Sequence, residues 1–350
     1  MIIGKNIDYT PDFTSDAYWD THHIGLATVI AAEDKAGRRH ITHRLDEQFS
    51  EGAAQSTRTE PLHRYWFGMD VVEAPTLNRR DRLVVSYPKT TPGQIVTYKV
   101  TPQAPLVRAL RQIKGLRRGQ GGADALANAA LSQNWIVSVY ALRKMLAQPQ
   151  LPRRPSLVSQ LQTARDDVRR SPRVRVLANQ LANKLAGQPP KSDAEYAWLS
   201  TNVAKLRVQD WSRVRPFTDR LLEFRRLRAQ TAKLLTRIAT DSAGPLPLRI
   251  GAYAAFDDAR LFDFAKPDAT SETILAASET MLRDRNELIR RAGIALLHNL
   301  SVGIAAPWRQ AYIGRARRAI GSLAQREPNP AVRFHCETYL EQLEHATPKV

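Results

Sequence analysis

The chain has 350 residues, of which 43% are hydrophobic and 25% charged, and its net charge is +18. This composition is ordinary for a soluble globular protein, and the length suffices for two domains. The single cysteine, Cys336, excludes an intrachain disulfide, and no apolar run approaches the roughly 20 residues of a membrane span. The first residues, MIIGKNIDYTPDF, contain no apolar core of signal-peptide length. We therefore expect a soluble, cytoplasmic protein without a membrane span.

The excess positive charge is confined to one block of the chain. Residues 1–104 hold 12 basic and 13 acidic side chains, and residues 238–350 hold 14 and 13. Residues 105–237 hold 26 basic and 8 acidic side chains, which accounts for the whole excess. Such asymmetry indicates an acidic partner, either nucleic acid, an anionic membrane surface or an acidic protein. The alternative is that arginines merely decorate solvated helix faces.

The first hundred residues have the composition of β-structure. IGLATVIAA and RRHITHRL flank EDKAG as in a hairpin, and LHRYWFGMDVVE, DRLVVSY and QIVTYKV are rich in β-branched and aromatic residues. Short strands separated by turn-like segments predict a small antiparallel, sandwich-like or barrel-like domain over residues 1–104. One alternative stays open for residues 14–36, namely a helix with Ser15 as its N-cap.

Residues 105–123 form a short basic segment after this domain. A helical piece, LVRALRQI, leads into KGLRRGQGG. The glycines and cations could cradle a phosphate, but the preceding strand and the Gly-Lys-Ser/Thr ending of a P-loop are missing. We predict a helical, glycine-rich linker instead.

From Asp124 onward one apolar pattern recurs at near-constant intervals. Each copy has an apolar anchor and a small residue four positions later, as in Val174 and Ala178. Arginine directly follows several anchors, for example Arg175 and Arg249. The anchors, which are separated by 37, 40, 34, 40 and 44 residues, are Val137, Val174, Val214, Leu248, Leu288 and Val332. This pattern predicts amphipathic helices in a repeating array.

The repeat resembles the HEAT-like family, in which two antiparallel helices form one unit. The turns before the anchors fit that family, since they read SP at 171–172, GPLP at 244–247 and NP at 329–330. The resemblance covers residues 124–345 and leaves 346–350 as a tail. It implies an all-α solenoid whose extended surface binds long partners. The expected fold class is therefore α+β and multidomain, with the β-rich domain first and the solenoid after it.

Cations at helical spacing within the basic block are the candidate binding residues. On a predicted helix 216–239, Arg226, Gln230, Lys233 and Arg237 share one face, and on a predicted helix 156–170 two arginines lie one turn apart. Guanidinium groups bind phosphate bidentately, so stacked repeats would align these side chains into a phosphate-binding strip. The candidates are Arg165, Arg169, Arg170, Arg173, Arg175, Arg213, Arg215, Arg226, Lys233 and Arg237.

Two other groups of residues are weaker candidates for a metal or catalytic site. Five histidines fall early, at His22, His23, His40, His43 and His63, near several aspartates. On a strand, HITH places its two histidines on opposite faces, which is poor geometry for one metal ion. Cys336 occupies the small-residue position of the last repeat, which favours packing over catalysis. We predict neither a metal nor another cofactor.

Two enzyme resemblances give a third hypothesis. Some HEAT-like proteins are DNA glycosylases that use an Asp and aromatic side chains in a basic groove, and Asp210 and Trp211 lie in the basic block. A β domain before a helical array also resembles the C-terminal part of M1-type zinc aminopeptidases, without their zinc motif.

Our leading hypothesis is a non-catalytic scaffold that docks a polyanion, with nucleic acid favoured. The alternative is a protein–protein adaptor that holds its partner in the solenoid groove. The oligomeric state is not predicted.

Overall fold

The computed structural model describes residues 12–35, 38–61, 65–67, 70–72, 77–90, 96–149 and 154–346. They form two compact units that divide between Gln188 and Pro189. The N-terminal unit contains an antiparallel sheet followed by helices, and the C-terminal unit is helical throughout its described residues. The α+β fold class with strands first is confirmed.

The central sheet has five antiparallel strands in the order β3-β2-β1-β6-β7. Its strands are β1 (His22–Lys35), β2 (Arg38–Gln48), β3 (Thr57–Pro61), β6 (Arg82–Pro88) and β7 (Val96–Val100). Two short strands, β4 (Tyr65–Phe67) and β5 (Asp70–Val72), pair separately. The predicted hairpin is confirmed by the antiparallel pairing of β1 with β2. Of the alternative helix over residues 14–36, only α1 (Asp16–Thr21) is helical.

Both faces of the central sheet are covered. Ile24 and Val84 face the core that the helices of this unit share, whereas Val29 and Val85 belong to a second cluster on the other face. Burial on both sides explains why β6 reads as a continuous apolar run and not as an alternation. The helices that cover one face of the sheet follow residue 104 in the chain, and they belong to the same unit as the sheet. The predicted domain boundary after residue 104 therefore lies inside the N-terminal unit.

Five further helices complete the N-terminal unit. They are α2 (Pro105–Arg117), α3 (Gly122–Ala130), α4 (Trp135–Ala147), α5 (Pro155–Asp166) and α6 (Pro172–Leu185). The segment expected to be a linker contains α2, whose Val107, Leu110 and Ile113 are buried. α4 packs on α2, α3 and α6, and α5 packs on α6, so neighbouring hairpins stack on one another.

Within the C-terminal unit, neighbouring helices also pack on one another. Its helices are α7 (Asp193–Val203), α8 (Arg215–Leu222), α9 (Arg228–Thr240), α10 (Leu246–Tyr253), α11 (Ala269–Met281), α12 (Glu287–Gly303), α13 (Ala306–Arg326) and α14 (Pro330–His345). α9 packs on α10 and α11, and α12 packs on α11, α13 and α14. No helix among the described residues is long and apolar enough to cross a membrane.

The predicted single helix over residues 216–239 is wrong. α8 ends at Leu222, a 3-10 turn follows at Arg225–Leu227, and α9 starts at Arg228. The break is at Phe224, which has the non-helical ψ of 66° and is 2% exposed. Its ring packs against Tyr196 with centroids 5.4 Å apart, and this buried contact outweighs the helical pattern of the sequence.

The repeat positions are largely buried, with two corrections. Val137, Val174, Val214 and Val332 are each at most 2% exposed. The fifth anchor, however, is Ile289 and not Leu288, since Ile289 is fully buried and Leu288 only half-buried. In the fourth copy, the sequence pattern of apolar and small residues that starts at Leu248 also predicts a buried residue eleven positions later, at Ala259. That prediction is wrong, since α10 ends at Tyr253 and Ala259 is exposed.

The arginine after the anchor links successive helices. Nε of Arg175 donates to the Arg165 carbonyl at 2.9 Å, and Nε of Arg249 donates to the Ala239 carbonyl at 3.1 Å. Each bond satisfies a carbonyl in the last turn of the preceding helix, which has no partner within that helix. Further along the chain, Arg249 pairs with Asp284, and the equivalent Arg290 pairs with Glu327 at 2.7 Å.

Candidate polyanion-binding surface

The five candidates in the N-terminal unit do not form a continuous helical strip. α5 ends at Asp166, so the predicted helix 156–170 is too long and Arg169 lies in the following turn. Arg165 pairs with Asp166 at 2.7 Å, and Arg169 pairs with Asp167 at 2.9 Å. Each of these two guanidinium groups is therefore neutralised by a carboxylate close to it in the sequence.

The remaining three candidates of this unit have structural contacts. Arg170 donates to two backbone carbonyls, at 3.0 and 3.1 Å, and Arg175 is only 4% exposed. Arg173 is half-buried near Asp12. Burial alone would raise the pKa of Asp12, but hydrogen bonds from Thr14 and Arg143, with the charges of Arg143 and Arg173, lower it. These cations stabilise the fold of the unit.

Other cations of the basic block are neutralised by acids from the first fifty residues. These carboxylates are distant in sequence but lie against α2 and α4. The pairs are Arg117 with Asp16 and Asp20, both at 2.5 Å, Lys144 with Asp16 at 2.6 Å, Arg143 with Asp12 at 2.8 Å, and Arg111 with Glu47 at 2.7 Å. The charge count along the sequence therefore overstates how much positive charge this unit offers to a ligand.

The candidates of the C-terminal unit are more available. Arg215 contacts Asp219 at 3.4 Å, and Arg226 contacts Asp193 at 2.6 Å from the 3-10 turn after α8. Arg226 therefore lies on a different element from Lys233 and Arg237. These last two are exposed along one side of α9, together with Gln230.

Six exposed cations within residues 205–237 make no hydrogen bond or ion pair through their charged groups with any residue that the structure describes. We call this set the unpaired cations. They are Lys205, Arg207, Arg213, Arg225, Lys233 and Arg237. Sequence reasoning selected Arg213, Lys233 and Arg237 but missed the other three. Lys205 and Arg207 lie in the connection between α7 and α8, and no pattern in the sequence distinguishes them from the paired cations around them.

The unpaired cations are spread over the α7–α8 hairpin and α9. The two helices of the hairpin run antiparallel, because the ring of Trp198 stacks on Phe217 and that of Tyr196 contacts Phe224. Lys205, Arg207 and Arg213 therefore lie at one end of α8. Arg225 lies at the other end, about 12 Å away for a helix of this length.

Arg225 borders an open cleft of about 500 Å³, which we call the Arg225 cleft. It is lined by Pro189, Pro190, Lys191, Ser192, Glu223, Phe224, Arg225 and Arg226. The carboxylate of Glu195 is 2% exposed and accepts hydrogen bonds from Arg220 at 2.7 and 3.0 Å. The same carboxylate accepts the backbone N–H of Lys191 at 3.1 Å. The lining residue Lys191 is thus held by a buried ion pair.

The histidines, Cys336 and Asp210 were the other candidates, and the structure describes the surroundings of most of them. No group of His, Cys, Asp and Glu there has the arrangement of a metal site, although His63 lies outside it. Cys336 is fully buried, as expected from the repeat, and burial raises the pKa of its thiol to about 11. Asp210 accepts hydrogen bonds from the N–H and Oγ of Ser212, at 2.9 and 2.8 Å, and so caps a turn.

Comparison with protein-family models, with curated proteins and with solved structures found no match to this chain.

Proposed function

We propose that this protein is a non-catalytic helical-repeat scaffold whose C-terminal unit docks a polyanion, with nucleic acid as the favoured ligand. The observation that carries the proposal is the set of six exposed, unpaired cations within residues 205–237. The arginines of the N-terminal unit are largely satisfied by carboxylates and carbonyls, so we restrict the binding surface to the C-terminal unit.

Unpaired cations suit phosphate for a simple physical reason. A phosphate that contacts them displaces condensed counterions and breaks no ion pair of the protein. An arginine held by a buried carboxylate would instead lose an existing partner. Guanidinium groups also match the geometry of phosphate oxygens.

The scaffold part of the proposal is supported by the stacked hairpins and by their arginine–acid contacts. Helices pack on their neighbours and on the next helix but one, as in α10 with α12 and α12 with α14. A stack of this kind presents a long surface, since each hairpin contributes one strip to it. The HEAT-like resemblance and the cytoplasmic location remain predictions from the sequence.

The test compares two charge-reversed proteins with the same change in net charge. Lys233→Glu with Arg237→Glu removes two unpaired cations, and Arg283→Glu with Arg285→Glu reverses two exposed arginines outside the basic block. We expect the first variant to bind a labelled oligonucleotide and heparin more weakly, and the second to bind nearly as the unchanged protein does. Equal losses would show that only net charge matters.

A protein–protein adaptor is the second candidate function, because large apolar side chains are exposed in the last hairpin. Phe334 is 69% exposed and Trp308 is 44% exposed. Such side chains are typical anchors of protein interfaces. Salt-insensitive co-purification with one protein, abolished by Phe334→Ala, would support this function over polyanion binding.

A further inference from the structure

We infer that the Arg225 cleft seats one nucleotide of a single-stranded nucleic acid, with the phosphate on Arg225 and the base against the proline wall. This inference rests on the proposed function and names the ligand of one part of the same surface. It predicts a preference for single strands, because a base must leave its stack to enter a cleft.

The size and lining of the cleft fit a nucleotide. Its volume of about 500 Å³ lies in the range of pockets that hold small organic ligands. Pro189 and Pro190 are exposed and form an apolar wall, whereas Lys191, Arg225 and Arg226 carry the positive charge. A nucleotide has the same two parts, a flat apolar base and an anionic phosphate. An acidic peptide side chain has the anion without the flat apolar body.

The cations of the cleft are available to different degrees. Arg225 is exposed and has no ion pair with any described residue. Arg226 is 58% exposed and contacts Asp193, which is 78% exposed, and the ammonium of Lys191 is 3.6 Å from Glu223. Exposed pairs of this kind contribute little to stability, so a phosphate can replace their acidic partners at small cost. Arg225 provides the first contact and the other two strengthen it.

Two of the lining residues, Lys191 and Glu223, are connected to a buried ion pair. Arg220 is 12% exposed and is held by Glu195 and Glu223. Glu195 also holds the N–H of Lys191, whose backbone has the left-handed φ of 58°. The course of residues 189–192 is therefore fixed by a buried carboxylate. A preformed site loses little conformational entropy on binding.

The experiment uses the full chain and three probes, which are a labelled single-stranded oligothymidylate, a duplex of the same length and polyglutamate. Arg225→Glu removes the phosphate contact, with Arg283→Glu as the control of equal charge. We expect Arg225→Glu to weaken single-strand binding about tenfold or more, and the control to change it less than about twofold.

A second variant tests the apolar wall without any change of charge. Pro189→Ala with Pro190→Ala removes the surface for the base, so we expect weaker binding of the single strand and unchanged retention on heparin. Lys191→Gly removes an ammonium and suits the left-handed backbone, so weaker binding by this variant does not come from misfolding.

Three results would overturn the inference. One is an Arg225→Glu effect no larger than that of Arg283→Glu while the unchanged protein still binds, in which case the proposed function stands without the cleft. Another is polyglutamate or the duplex binding as tightly as the single strand. The third is no binding of any probe by the unchanged protein, which would refute the proposed function as well.

Discussion

At the scale of single residues, Glu195 and Asp193 differ in burial although both accept arginine. Glu195 is 2% exposed and pairs with Arg220, whereas Asp193 is 78% exposed and pairs with Arg226. Removing one partner of a buried ion pair costs about 3–5 kcal/mol. Arg220 keeps Glu223 as a second carboxylate partner, so Glu195→Gln should lower the free energy of unfolding by the lower end of this range, about 3 kcal/mol. Asp193→Asn should change it by less than about 1 kcal/mol. Urea unfolding of both variants measures this difference, and equal losses would contradict it.

His43 gives a second prediction at this scale. It is 3% exposed, and burial, helped by the charge of Arg58, lowers the pKa of its imidazole to about 4. The unfolded chain takes up this proton near pH 6.5, so His43 favours the folded state fully above that pH. This contribution is lost as the pH falls from 6.5 through 4.

His43→Leu should therefore flatten the pH dependence of stability. Between pH 7 and pH 5 the unchanged N-terminal unit should lose on the order of 1 kcal/mol that the variant keeps. Urea unfolding of the full chain, followed by its tryptophan fluorescence, measures the difference. His345→Leu, which changes an exposed histidine, is the control and should leave the slope unchanged. A parallel loss in the His43→Leu variant would refute the prediction.

At the scale of elements, the contact from Arg249 to Asp284 joins α10 to the connection between α11 and α12. Burial alone would raise the pKa of Asp284, but hydrogen bonds from Arg249 and from the N–H of Asn286, with the charges of Arg249 and Arg290, lower it. Because the pKa of Asp284 is lower in the folded chain than in the unfolded chain, where it is near 4, its carboxylate stabilises the fold at pH values above about 4. This stability is lost as the pH falls through the pKa of the folded state. Asp284→Asn should remove this share of acid sensitivity.

The measurement is the free energy of unfolding of the full chain from pH 6 down to pH 2. At pH 6 the variant should be less stable by about 3–5 kcal/mol, because Arg249 is 4% exposed and loses its counter-charge. Its stability should then fall less steeply with acid than that of the unchanged protein. Glu341→Gln, at an exposed position of α14, should follow the unchanged curve. If the stability of Asp284→Asn fell as steeply with acid as that of the unchanged protein, the contact between Arg249 and Asp284 would contribute no acid sensitivity.

The sequence predicted the elements better than their ends. Apolar runs and turn residues located the strands, and the stripe at 174, 178, 182 and 185 matches buried positions of α6. The end of α5 was missed because Asp167 looks compatible with a helix by spacing alone. Its carboxylate instead accepts the N–H of Arg169 at 3.0 Å, which closes a turn. The break at Phe224 was missed because it depends on a ring contact with Tyr196, which no local pattern encodes.

At the scale of the whole molecule, the sequence predicts the net charge of the basic block correctly. It does not predict which cations of that block remain unpaired. The net charge of residues 105–237 is evident from the sequence, but its pairing depends on which acids the fold brings near. Asp12, Asp16 and Glu47 lie outside this block and still neutralise its cations on α2 and α4. Half of the unpaired cations were therefore beyond prediction, since tertiary contacts decide which side chains lack partners.

The salt dependence of binding tests this distribution directly. If the six unpaired cations each contact a phosphate of a single strand, the logarithm of the affinity should fall with the logarithm of salt concentration with a slope of about −4. Lys233→Glu with Arg237→Glu removes two contacts and should reduce the slope to about −3. Arg165→Gln with Arg169→Gln removes two paired arginines of the N-terminal unit and should leave the slope unchanged. Titration of a labelled oligonucleotide over a series of salt concentrations measures all three slopes. If the salt slope were reduced more in the variant of Arg165 and Arg169 than in the variant of Lys233 and Arg237, the polyanion would bind to the N-terminal unit instead.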